Sequence, residues 1–213
     1  MTGELTRHRD RIARMGQLLY GRGLAHGSAG NISLRLDDGS LLVTPTNTCL
    51  GMLDPARISH VAPDGTLLSG DKPSKETFFH LAMYAERESA RSVVHLHCTH
   101  AVGVSCLDHE NEADVLPPVT AYHVMKVGKL PLVPYFRPGD KGLAEAVRAA
   151  ARGHHAMLLA NHGPVVAGKS LEDAVWTSEE LEESAKLFFL LSGQRTRLLD
   201  AEKIAELERV FPS

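Results

Sequence analysis

A change of rhythm near Pro73 constrains the fold more than any other feature of this chain. Before it, four short apolar runs (I-S-L-R-L, L-L-V-T-P, I-S-H-V-A-P and T-L-L-S-G) are separated by turn residues, with Asp37-Asp38-Gly39-Ser40 and Asp64-Gly65 at two hairpin bends. After it, strand-like runs alternate with helical ones. S-V-V-H-L-H, V-G-K-L-P-L-V-P-Y, A-M-L-L-A and Val165 to Gly168 read as extended. Helices are expected from Pro73-Ser74 to Ser89, Thr99 to Leu107, Asp140 to Arg152, Leu171 to Leu191 and Ala201 to Val210, after an opening helix from Glu4 to Arg22. Hairpins followed by alternation predict an α/β fold, a mixed sheet with helices on both faces.

Length and composition narrow the class. With 213 residues, one domain over 1–213 is expected. Such a chain buries roughly 70% of its unfolded surface, so it needs neither disulfide nor metal to fold. A metal in it would serve chemistry. The net charge of -3 and the absence of like-charge blocks give no nucleic-acid or membrane signal. Cys49, Cys98 and Cys106 lack metal or disulfide spacing, which fits a reducing compartment. With no apolar leader and no long uncharged apolar run, a cytoplasmic location is expected.

Three of the 12 histidines have settings that suit a metal. His95 and His97 lie one apart on an apolar, β-branched run, and alternate strand residues share a face. His162 follows M-L-L-A at an Asn-His-Gly turn. Three imidazoles with a fourth position open suit a catalytic zinc. On spacing alone, that reading and a set of satisfied core histidines stand level. His100 lies past the strand, and His80, His109, His123, His154 and His155 read as surface or packing residues.

Other segments are more ambiguous. Ser74 and Glu76 in a first helical turn suit capping and the helix dipole, the reading the residues alone favour. Alternatively, that turn and Lys75 receive an anion, and Glu76 acts as a base or labile metal ligand. Gly27-Ser28-Ala29-Gly30-Asn31 and Thr44-Pro45-Thr46-Asn47-Thr48 are turns rich in small, hydroxyl or amide residues, suited to phosphate or to chain reversal.

G-S-A-G-N-I-S, V-T-P-T, P-S-K-E-T-F-F-H, V-V-H-L-H-C-T-H-A and A-N-H-G-P-V stand in the order typical of the class II aldolase/adducin family, which the chain resembles from about Leu5 to Leu191. The resemblance implies a three-layer α/β/α domain with a mixed, largely antiparallel sheet. It also implies a homotetramer with active sites at subunit interfaces. It implies one Zn²⁺ per subunit on His95, His97 and His162, other divalent ions being possible. Glu76 matches the catalytic glutamate, which also approaches the metal, and Tyr122 falls near a proton-donor tyrosine. Gly30, Asn31, Thr46, Asn47 and Ser74 match phosphate-holding positions.

Where fuculose-type aldolases carry two serines before the glutamate, this chain has Ser74 then Lys75. P-S-K-E, T-A-Y-H-V-M-K-V-G and F-R-P-G-D-K resemble the branch that decarboxylates a phosphorylated four-carbon 3-oxo sugar acid. That implies a lyase acting through a zinc-stabilised enediolate, with Lys75 on an anionic substrate group. The alternatives are an aldolase or a 4-epimerase acting on a ketose phosphate, or a non-catalytic scaffold.

Overall fold

Alternation along the strands builds two separate apolar layers, one on each face of a single sheet. The computed structural model describes residues 2–137 and 139–211, so Pro138 of F-R-P-G-D-K lies outside the described residues. The strands are β1 (Asn31–Arg35), β2 (Leu41–Val43), β3 (Ser59–Val61), β4 (Leu67–Ser69), β5 (Ser92–His95), β6 (Leu132–Val133), β7 (Ala156–Leu159) and β8 (Gly163–Gly168). They form one sheet in the order β4-β3-β2-β1-β5-β8-β7-β6, antiparallel throughout except where β6 runs parallel to β7.

Leu42, Val94, Leu158 and Val166 face α1 (Thr2–Gly21), α3 (Thr99–Ser105) and α6 (Leu171–Leu190). Their strand neighbours Leu41, Val43, Val93, Met157, Val165 and Ala167 face α2 (Thr77–Glu86) and α5 (Gly142–Ala151). A period of two residues therefore produces the expected three layers. The short α4 (Ala121–Lys126) and α7 (Ala201–Val210) pack on one another beside α6. No described helix is long and apolar enough to cross a membrane.

The structure departs from the sequence pattern at several points, and the strand read through His97 ends at His95. The helix expected from Pro73-Ser74 begins at Thr77 and ends at Glu86. Pro73 bridges to Pro45, and Ser74 donates its N–H to the Thr44 carbonyl at 3.2 Å. That pairing holds residues 73 and 74 extended and moves the helix start along the chain. The Ala121–Lys126 helix has no counterpart among the expected elements, because six residues are too few for a visible period. Its cap is present, with Thr120 Oγ1 accepting from the His123 N–H at 3.0 Å. Of the extended V-G-K-L-P-L-V-P-Y run, Leu132 and Val133 form the described strand.

Candidate metal centre

The site forms at one end of the two central strands, from segments far apart in sequence. Register places Asn31 of β1 directly opposite His95 of β5, so both side chains project toward α2. His97 lies two residues beyond His95, past the strand end. His162 is held in the turn between β7 and β8 by its N–H to the Leu159 carbonyl at 3.1 Å. Glu76 sits at the N-terminus of α2.

Two glycines allow the close approach. A Cβ at Gly163 would lie 2.3 Å from the Leu96 carbonyl oxygen, and φ there is +154°. At Gly30, φ is +82° and a Cβ would come within 2.9 Å of the His95 carbonyl. Only glycine lets these segments come so close.

The three rings stand 4.8–4.9 Å apart between centroids, each steeply inclined to the others. Nε2 of His95 lies 3.0 Å from Nε2 of His97. Glu76 brings Oε1 to 3.2 Å from His162 Nε2 and Oε2 to 3.6 Å from His95 Nε2. All four ligand atoms lie within 4.8 Å of one another. His95 Nδ1 donates to the Pro164 carbonyl at 2.8 Å, which leaves its Nε2 lone pair facing the cluster.

Burial reinforces that protonation state. It pushes His95 down to about 3 and lowers His97 as well. Burial would raise the Glu76 carboxyl, but the His95 and His162 rings and the Asn31 amide outweigh it and hold it well below the usual range. Three imidazole nitrogens beside a carboxylate oxygen form the donor set that suits a divalent transition metal. The residues fit such an ion.

The structure also gathers most of the expected substrate residues. Thr46 donates its N–H to the Lys72 carbonyl, and Thr44 Oγ1 accepts from the Ile32 N–H, so both hydroxyl-rich turns and Ser74 adjoin one another. Gly30 leads into Asn31, and Asn47 has a left-handed φ of +56°. Ser74 Oγ accepts from the Glu76 N–H at 3.2 Å, a turn ahead of the helix. Lys75 is exposed.

Two residues have settings that the sequence pattern does not reveal. Asn31 already uses both ends of its carboxamide: Nδ2 donates to Glu76 Oε2 at 2.6 Å, and Oδ1 accepts from His80 Nε2 at 2.5 Å. Its side chain orients Glu76, and the amide keeps a second N–H beyond the one given to Glu76. Tyr122 is 64% exposed on α4, and Lys126 of that helix pairs with Asp173, beyond the end of β8 remote from His162. Within one chain, the structure does not bring Tyr122 to the cluster.

Among the remaining histidines, His80 is fully buried and bound to Asn31, a role that the sequence pattern alone does not assign to it. A signal for it exists, since His80 follows Glu76 by four residues and Tyr84 follows His80 by four, one helical face. His100 binds Glu182, while His109, His154 and His155 face backbone carbonyls.

Comparison with known proteins agrees with this geometry. Residues 10–189 match the Class II Aldolase and Adducin N-terminal domain. The chain is 53% identical over 199 residues to a 3-oxo-tetronate 4-phosphate decarboxylase of Escherichia coli strain K12, covering 93% of this chain and 94% of the relative. To an L-fuculose phosphate aldolase of Haemophilus influenzae it is 34% identical, over 85% and 83% of the two chains. The crystal structure of YgbL from Escherichia coli superposes with a TM-score of 0.93 at 51% identity, covering 95% of this chain and 98% of that one. With three histidines and a glutamate converging on one point of the same fold, this chain belongs to the class II aldolase and adducin family.

Proposed function

We propose that this chain is a metal-dependent carboxy-lyase that converts 3-oxo-tetronate 4-phosphate to dihydroxyacetone phosphate and CO2. The carrying observation is the His95–His97–His162–Glu76 cluster, in a chain more similar to the decarboxylase relative than to the aldolase. His95, His97 and His162 would hold the ion, with Glu76 approaching it. We take the ion to be zinc, on the strength of three imidazoles and one carboxylate. When bound, the cation would supply Lewis acidity, drawing electron density toward the ketone oxygen as the carbon–carbon bond breaks.

The chain's own residues carry the rest. Gly30, Thr46, Asn47 and Ser74 frame a phosphate with hydroxyls, an amide and a close backbone, and Asn31 fixes Glu76. Lys75 orients the carboxylate that departs as CO2 but must not hold it tightly, because charge leaves that group in the transition state. Loss of CO2 leaves an electron pair on C2, which must take a proton. Glu76 Oε1 is the atom placed to relay that proton from a solvent water, since Oε2 is engaged by Asn31.

In this reading the enzyme is cytoplasmic and assembles as a homotetramer. Tyr122 then serves a neighbouring copy's site, because it does not reach its own.

The deciding experiment offers zinc-loaded enzyme both the 3-oxo acid phosphate and a ketose phosphate. CO2 and dihydroxyacetone phosphate in equal amounts are expected from the first. Faster aldehyde release from the ketose phosphate would replace this reading with the aldolase one. Lys75→Ala should lower kcat/KM for the acid by roughly 10–100-fold, the worth of one charged hydrogen bond.

A further inference from the structure

We infer that His80 is a positioning residue for Glu76, acting through Asn31 to hold the carboxylate in register with the three histidines. This deepens the reading of Glu76 as the proton-handling group and rests on it. The basis is a chain of four hydrogen bonds running from Glu76 into the interior beneath β1. Asn31 Nδ2 meets Glu76 Oε2 at 2.6 Å, and His80 Nε2 meets Asn31 Oδ1 at 2.5 Å. Ser33 Oγ meets His80 Nδ1 at 2.7 Å, and Tyr84 OH meets Ser33 Oγ at 2.8 Å. Asn31, Ser33, His80 and Tyr84 are all buried.

Elementary chemistry fixes the direction of every link. A carboxylate only accepts, so Asn31 must present its NH2 to Glu76. That turns Oδ1 toward His80, and a carbonyl oxygen also only accepts, so His80 Nε2 must carry a proton. Burial lowers His80 to about 4, so the ring is neutral near pH 7 and Nδ1 is bare. Nδ1 therefore accepts from the Ser33 hydroxyl, whose oxygen accepts in turn from Tyr84.

Every donor in the series points toward Glu76. The opposite tautomer, protonated at Nδ1, would set two lone pairs against each other at the 2.5 Å contact with Asn31. Relieving that would rotate the amide and turn its oxygen on the Glu76 carboxylate. The tautomer of His80 thus decides which way Asn31 faces. Phe79 stacks on the ring with centroids 5.1 Å apart, which limits its rotation.

The test pairs spectroscopy with kinetics on the zinc-loaded full chain. In protein labelled with 15N-histidine, the resonances lost in His80→Phe identify the His80 ring. A neutral imidazole protonated at Nε2 is expected at pH 7. A ring protonated at Nδ1, or at both nitrogens, overturns the proposal. His80→Phe, which removes donor and acceptor together, should lower kcat roughly 10–100-fold, with KM within about threefold and zinc content unchanged.

His80→Gln can still donate to Asn31 and accept from Ser33, and should recover kcat to within about threefold of wild type. Wild-type kcat in His80→Phe, an equal loss in both variants, or loss of zinc with activity would each refute positioning. Should His80→Phe fail to fold, His80→Gln supplies the resonance assignment and His80→Leu, which also removes donor and acceptor, takes its place in the kinetic comparison with the same loss expected. If the wild-type enzyme releases no CO2, the proposed function fails while the tautomer result still judges the hydrogen-bond chain.

Discussion

The two faces of β1 divide the molecule's work. Ile32 and Leu34 point toward α1 and α6 and join an apolar layer. Asn31 and Ser33, their neighbours in sequence, point toward α2, where they meet Glu76, His80 and Tyr84. One face excludes water by packing. The other buries polar groups and saturates them in a single directed series, which is the condition under which burying them is tolerable. A strand can carry both programmes because adjacent residues never share a face.

Substitution can break this comparison. The largest effect is expected on the polar face. His97→Ala should abolish metal content and turnover together, as measured by metal analysis and CO2 release, while secondary structure persists. A metal-free variant with full activity would end the assignment. On the apolar face, Leu34→Ala should destabilise by roughly 2–5 kcal/mol through lost contact and cavity formation. Its zinc content and kcat at 25 °C should match wild type. If kcat falls with stability there, the two faces are not independent.

A smaller effect separates burial from catalysis. His80 and His123 are each held near 4 by burial, against 6.5 when unfolded. Between those values the unfolded chain binds more protons, so stability falls as pH drops from 6.5 to 4 and is flat above that window. Each ring contributes roughly 3 kcal/mol to that loss. His123 lies on α4, outside the cluster, and its Nδ1 has no hydrogen-bond partner among the described residues. His123→Phe should therefore flatten the acid-unfolding profile while leaving kcat untouched. Identical profiles in the two proteins would show that His123 is not held neutral.

Much of the fold is legible from local signals. α6 and α7 carry long periodic runs and capping side chains, Ser170 and Asp200, and both begin where the pattern predicts. The early hairpins are marked by Asp-Gly bends. Half of the site is legible too, since His95 and His97 lie one apart on one apolar run and His162 at a turn, although the strand itself ends at His95. The rest depends on pairings between distant segments. The Pro45–Pro73 bridge displaces the start of α2, and nothing local to Pro73 announces a partner so far away. Asn31 reads as a phosphate-turn residue because its neighbours are glycine, alanine and serine, and nothing local to it announces that its side chain also meets His80 and Glu76.

By itself, the sequence determined the longer helices and the early hairpins and which side of each faces inward, because periodicity and turn chemistry act within a few residues. Tertiary structure alone decided that Glu76 meets three histidines, that Asn31 serves the carboxylate, and that Tyr122 stands apart from its own site. Those outcomes follow from strand register and from close backbone approaches at Gly30 and Gly163. Such long-range geometry leaves no periodic trace in the chain.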